Sequence, residues 1–263
     1  MSQPTTSYTV MFAAGVCLIC SLFVSGAAVA LKDKQDANKV LDKQKKVLAV
    51  AGLIEEGASP SATEVDAIFA EKIAAQVVDM KTKQVVSDPS FDFKSYDAVK
   101  ASKDPATSIE VAPNKAKVGR LPARHVVYCV KEGEGCSQYI FPIEGKGLWS
   151  TMYGFLSLEK DLNTVRGITF YAHGETPGLG GEIENPAWRA SWPGRKIYKD
   201  GAAGVALKVL KGKAGDVASA PHNIDGISGA TLTTNGVTNT VDFWFGPDGF
   251  KGYIDNLKSG SAG

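Results

Sequence analysis

Residues 10–31, VMFAAGVCLICSLFVSGAAVAL, decide the architecture before anything else in the chain. Roughly 22 residues pass without an ionisable side chain apart from the thiols of Cys17 and Cys20, and at 1.5 Å rise such a helix crosses a ~30 Å hydrocarbon layer. The competing reading is a cleaved leader, because Ala28-Val29-Ala30 has the small residues of a cleavage site. Two features oppose it. MSQPTTSY supplies no Lys or Arg for a charged start, and the apolar run exceeds the ~7–15 residues of a leader. The sequence therefore predicts a retained transmembrane helix after a tail of residues 1–9. Cys17 and Cys20, three apart, share one face of it, which suits small thiols packed among other helices better than contact with a partner's redox centre.

Outward from this segment, Lys32, Lys34, Lys39, Lys43, Lys45 and Lys46 would hold the following domain in the cytoplasm by the positive-inside rule. Asp33, Asp36 and Asp42 dilute that signal, and large domains translocate regardless of flanking charge, so charge leaves the orientation open. Val40, Leu41, Val47, Leu48, Val50 and Leu53 recur at helical spacing and predict a helix out of the membrane to about residue 58, broken by Ser59-Pro60-Ser61. Ser61 or Thr63, followed by Glu64, would start a second helix through ATEVDAIFAEKIAAQVVDM. Residues 80–114, with Pro89, Pro105 and Pro113, read as turns and short elements. Residues 32–120 thus form a helical linker and peripheral region.

Residues 121–263 read as the main domain. RHVVYCV and SQYIFPI are rich in β-branched and aromatic residues, and KEGEG (131–135) between them predicts a hairpin turn. Cys129 and Cys136 flank it. In an oxidising compartment they can pair, and two unlinked thiols are equally open. Residues 156–158, 165–172 and 206–210 continue the strands, and TLTTNGVTNTVDFWFG begins a final helix. The domain is α+β, without the regular alternation of a doubly wound sheet. With 263 residues, 44% of them hydrophobic, the chain can bury a core. Lys+Arg 29 against Asp+Glu 28 supplies no field for a polyanion, which excludes nucleic acid as the main partner. Four cysteines and three histidines are too few and too scattered for a zinc site, since no Cys-x-x-Cys pair faces a second pair or a His-x-x-x-His, so no metal is expected.

Two stretches concentrate chemistry. In Asp225-Gly226-Ile227-Ser228-Gly229-Ala230-Thr231-Leu232-Thr233, small and hydroxyl residues precede a helical pattern, so a backbone can approach a phosphate closely. If Ser228 caps that helix, its free N–H groups and positive dipole end face an anion. The same string is also ordinary turn-and-cap sequence. In Tyr171-Ala172-His173-Gly174-Glu175-Thr176-Pro177-Gly178-Leu179-Gly180-Gly181, Gly and Pro specify a tight loop after a strand. Gly178-x-Gly180 is no dinucleotide fingerprint, since the third glycine is misplaced and no helix is expected to follow. His173 and Glu175 suit proton transfer or, more simply, bonding of the loop backbone. Gly145-Lys146-Gly147-Leu148-Trp149-Ser150 is a third glycine loop. Trp188, Trp192 and Trp244 read as core or rim packing. No residue reads as a catalytic nucleophile or base.

The order GKGLWS, GETPGLGGE, NPAW, DGISGATLTTNGV, together with the LKDKQ helix exit and the closing DFWFGPDGF, resembles the FMN-binding domain found in the C subunit of the bacterial Na⁺-translocating NADH:quinone oxidoreductase. The resemblance covers most of the chain and is least distinctive over residues 60–120. It implies an FMN joined by a phosphoester to Thr231, with Asp225, Ser228, Gly229 and Ala230 in the recognition segment of an FAD:protein FMN transferase. Leu232 and Thr233 follow in the same turn, and Glu175, Thr176, Leu179 and Gly180 would lie against the flavin. It further implies an inner-membrane complex of six different subunits in which this one carries electrons between a membrane iron–sulfur centre and another subunit's FMN, with contacts to lipid and its flavin domain in the periplasm. Relatives often carry lysines before the helix, and MSQPTTSY lacks them. The related ferredoxin-linked (Rnf-type) electron-transport complex has a similar flavinylated subunit, but the LKDKQ exit and DFWFG tail favour the quinone-reducing one. A membrane-tethered, non-redox ligand-binding module is the remaining alternative.

Overall fold

The computed structural model describes residues 5–55, 57–58, 60–93, 96–200 and 204–260. The chain divides into two compact units between Asp42 and Lys43. Helix α1, Thr6–Val50, is one unbroken helix of 45 residues. Its apolar front has a mean hydropathy of 2.3 over 18 residues and is not buried at all within the chain, as a helix solvated by lipid would be. The helical spacing seen after residue 32 is the continuation of this same helix. It stops at Val50, sooner than about residue 58, because Gly52 turns left-handed at φ 71° and Leu53 N donates back to Leu48 O. Ser59 of the expected breaker lies outside the described residues.

The second unit begins with the buried end of α1 (Val47, Leu48, Val50) and helix α2, Ala62–Lys72. Ser61 caps α2 as expected: its hydroxyl accepts from Glu64 N and Glu64 returns the bond to Ser61 N. The expected continuation of this helix to Met80 is wrong. Ile73–Asp79 is strand β1, paired along its whole length with a central strand; its Ile73, Val77 and Val78 are β-branched, and tertiary pairing overrides the helical pattern of the preceding turns. The elements that follow are β2 (Val85–Val86), α3 (Ala98–Lys103), β3 (Ser108–Glu110), β4 (Arg120–Pro122), β5 (Arg124–Glu132), β6 (Gly135–Lys146), β7 (Thr151–Glu159) and β8 (Val165–Ala172).

An antiparallel six-stranded sheet in the order β2-β1-β5-β6-β7-β8 forms the frame. Beyond β8 come a 3₁₀ turn (Gly180–Glu184), α4 (Pro186–Arg189), β9 (Lys208–Val209), β10 (Asn223–Ile224), α5 (Thr231–Trp244) and α6 (Lys251–Lys258). Residues 206–210 do not extend the main sheet; β9 pairs in parallel with β10 in a sheet of two. Nor is α5 the last helix, since Gly246 and Gly249 turn the chain into α6. One face of the main sheet presents Phe141, Ile143, Met152, Leu156, Ile168 and Phe170 to Val237, Val241 and Trp244 of α5 and Tyr253 of α6. On the other, Tyr128 meets the edge of Phe69 from α2, and Lys43 lies 5.5 Å above the ring of Tyr171. The hairpin turn of β5 and β6 falls at Gly133, and Cys129 and Cys136 are joined as a disulfide with Cα atoms 5.6 Å apart.

Candidate functional site

The start of α5 is where the glycine-rich loops converge. Segment 223–231 is held from both sides: Asp225 accepts from Lys213 Nζ and from Ala214 N, both at 2.7 Å, and its carbonyl accepts from Trp188 Nε1 at 2.7 Å. Burial alone would raise the Asp225 pKa, but the Lys213 and Ala214 hydrogen bonds outweigh it and hold the carboxyl below its usual value. Gly226 N donates to Gly212 O, and a Cβ on Gly226 would overlap the Leu210 carbonyl. Gly229 then adopts φ 73°, which a residue with a Cβ disfavours, and Ala230 is buried.

The helix begins at Thr231 with Ala230 as its N-cap and no side-chain cap. This corrects the expectation that Ser228 caps it: the left-handed turn at Gly229 carries Ser228 outside the helix, and Ser228 is exposed. Among the described residues, the backbone N–H groups of Thr231, Leu232 and Thr233 have no acceptor, so the dipole end of a 14-residue helix stays open.

The hydroxyls of this turn are not equivalent. Thr233, 1% exposed, donates to Glu175 Oε2 at 2.6 Å. Thr234, 2% exposed, hydrogen-bonds the carbonyls of Ala230 and Thr231. Thr231 is exposed, and among the described residues its hydroxyl has no partner.

Glu175 is buried and accepts from Leu148 N (3.1 Å), Trp149 N (2.9 Å) and Ser150 N (3.1 Å) as well as from Thr233. Burial would raise its pKa; the donors, Thr233 foremost, hold it below 4.5. His173 is bonded locally: its Nδ1 accepts from Glu175 N at 3.1 Å and its Nε2 lies 3.3 Å from Glu184. Thr176 turns the loop by accepting from Leu179 N and Gly181 N. Close packing leaves no room for side chains at this junction. A Cβ on Gly180 would stand 2.5 Å from Thr233 Oγ1, and one on Gly147 2.6 Å from Glu175 Oε1. Short helices do follow the Gly178-x-Gly180 loop, against expectation, because Asn185 caps Pro186 and Ala187 into α4. Trp188, Trp192 and Trp244 are all buried, as expected.

Around this helix start stand four exposed apolar side chains: Leu148, Trp149 (67% exposed), Leu179 and Leu232. Leu148 and Trp149 were legible in the sequence only as part of a glycine loop carrying an aromatic. Their burial state, which marks them, is a tertiary property.

An FMN-binding domain family model matches residues 147–246, the interval containing all these loops. The chain is 47% identical over 264 residues to the C subunit of the Na(+)-translocating NADH-quinone reductase of Pseudomonas aeruginosa, covering 99% of both. It is 49% identical over 245 residues to that of Vibrio anguillarum, covering 92% of this chain and 91% of the relative. The chain belongs to the family of C subunits of Na⁺-translocating NADH-quinone reductases. Its fold agrees with the crystal structure of NqrC from Shewanella oneidensis (TM-score 0.76, 32% identity, covering 85% of this chain and 99% of that one). It also agrees with the corresponding reductase subunit from Parabacteroides distasonis (TM-score 0.64, 26% identity, 85% and 96%). As a member of the NqrC family it is a component of an oxidoreductase complex and carries an FMN-binding domain behind one long apolar helix. The residues present fit FMN: the open helix end and close-packed glycines suit its phosphate, and the exposed apolar side chains suit its ring.

Proposed function

We propose that this chain is a membrane-anchored electron carrier whose FMN is joined through its phosphate to Thr231. The observation that carries the assignment is the accounting of hydroxyls at the start of α5. Thr233 and Thr234 are buried and bonded inward, Ser228 lies outside the helix, and Thr231 alone is both exposed and in the first turn. An FAD:protein FMN transferase would read residues 225–230, form the bond from Thr231 Oγ to phosphorus, break the FAD pyrophosphate and release AMP and a proton. The open N–H groups at the start of α5 would then bind the phosphate, and Thr176, Leu179 and Gly180 would border the flavin. When bound, FMN supplies one-electron redox chemistry that no side chain here provides. The protein's part is to hold the cofactor and limit water around it.

In this reading the chain passes electrons between a membrane iron–sulfur centre and another subunit's FMN in a complex of six subunits. Residues 10–31 sit in lipid, residues 32–120 link and flank, and residues 121–263 form the flavin domain in the periplasm. The Cys129–Cys136 disulfide supports that side, because such bonds persist in oxidising compartments. The test is a denaturing gel viewed under ultraviolet light after co-expression with the transferase. Wild type and Thr233→Ala should fluoresce and Thr231→Ala should not; a fluorescent Thr231→Ala band would refute the attachment.

A further inference from the structure

Glu175 sits at the junction of three segments that are distant in sequence. Its Oε2 accepts from Leu148 N and Thr233 Oγ1, and its Oε1 from Trp149 N and Ser150 N. Four donors fill the capacity of a carboxylate. Next to it, Gly174 N donates to Ser150 Oγ at 2.6 Å, a second tie between the same two loops. The residue is 4% exposed and both carboxylate oxygens are engaged, so it has neither a free oxygen nor an open face for a ligand. On either side, Gly147 and Gly180 leave space that a methyl group would close.

We propose that Glu175 is the positioning residue of the flavin site, acting through the loop it holds and not through contact with the cofactor. Three consecutive backbone N–H groups converge on its charge, a concavity that neutral side chains do not stabilise to the same extent. The loop so fixed carries Leu148 and Trp149, exposed, on the carboxylate that is bonded to Thr233, two residues after Thr231. Glu175 thereby sets the apolar wall beside the attachment point. In Glu175→Gln, the amide oxygen can still accept from Trp149 and Ser150, but its NH₂ meets Leu148 N donor to donor. Thr233 can rotate to accept instead, so the loop loosens while the helix remains.

The inference rests on attachment at Thr231, and the experiment separates the two. The full chain, co-produced with the transferase and kept in detergent, is compared as wild type, Glu175→Gln, Thr233→Val and Thr231→Ala. Covalent flavin on denaturing gels, melting temperature, and iodide quenching of flavin fluorescence below the melting transition are measured. Glu175→Gln should carry covalent flavin with a quenching constant at least threefold above wild type, and Thr233→Val, which loses one bond of four, should fall between. A lowered melting temperature with unchanged quenching would show a structural role only and overturn the proposal. If Glu175→Gln does not accumulate, Thr233→Val decides, and quenching equal to wild type overturns it. A wild type without covalent flavin, or a loaded Thr231→Ala, refutes the attachment and this inference with it.

Discussion

His125 lies beneath the edges of Trp244 and Phe250, at 5.3 and 5.5 Å between ring centroids, and its Nδ1 accepts from Val126 N. Burial, with a smaller contribution from the charge of Lys43, pushes its pKa from 6.5 down to about 3. The unfolded chain therefore binds a proton below pH 6.5 that the folded chain refuses until about pH 3. The stability this neutral ring contributes is complete above pH 6.5 and drains away as pH falls toward 3. Between pH 7 and 4.5, wild type should lose about 3 kcal/mol more than His125→Leu, measured from urea midpoints at both pH values. Gly236 gives a second residue-scale outcome. Gly→Ala inside a helix ordinarily stabilises by ~0.5–1 kcal/mol. Here the new methyl would overlap the Lys146 carbonyl and stand 3.1 Å from Gly147 Cα, both backbone atoms. Gly236→Ala should therefore destabilise by about 1–3 kcal/mol, with faster amide exchange across residues 147–150.

Among the elements, the hairpin of β5 and β6 carries the clearest consequence. Its register shifts between Val130 and Lys131, so Cys136 lies opposite Lys131 and the disulfide reaches diagonally to Cys129. Past Ile140, β6 leaves β5 and stays paired with β7, so Pro142, without an N–H, lies outside the β5–β6 ladder. Closing a loop of seven residues' separation restricts the unfolded chain, and the paired change Cys129→Ala/Cys136→Ala should lower stability by about 2 kcal/mol. In unreduced, denatured protein, a thiol reagent should label Cys17 and Cys20 alone. Labelling at all four positions would show that the bridge does not form.

For the whole molecule, the buried core lies entirely after residue 43, in the second unit. A chain beginning at Lys43 should therefore stay folded and soluble without detergent, with the melting temperature of the full chain's body within a few degrees, as followed by circular dichroism. The full chain should need detergent, because its apolar front is exposed among the described residues. Orientation also belongs to this scale. Alkaline phosphatase fused at the C-terminus should be active, and a fluorescent protein exported unfolded should be dark; the reverse pattern would put the body in the cytoplasm.

The long apolar helix, the capping box at Ser61 and the hairpin at Gly133 were readable from sequence because each is set by local chemistry: an apolar length, a hydroxyl three residues before a glutamate, a glycine between β-branched runs. The family motifs likewise marked the stretch around Thr231 and the loop around Glu175. Local pattern failed at Ile73–Asp79, which becomes a strand only because β5 is there to pair with it. It failed again at Ser228, a good cap by residue type that the left-handed Gly229 moves away from the helix. Which hydroxyl of Ser228, Thr231, Thr233 and Thr234 faces solvent was beyond the sequence as well. Thr233 is withdrawn by Glu175, 58 positions away, and Leu148 and Trp149 stay outside because that same carboxylate holds their backbone. Sequence determined by itself where the long apolar helix lies and where the glycine-rich stretches fall; the tertiary structure decided which atoms of those stretches are open, because exposure depends on neighbours that only folding brings together.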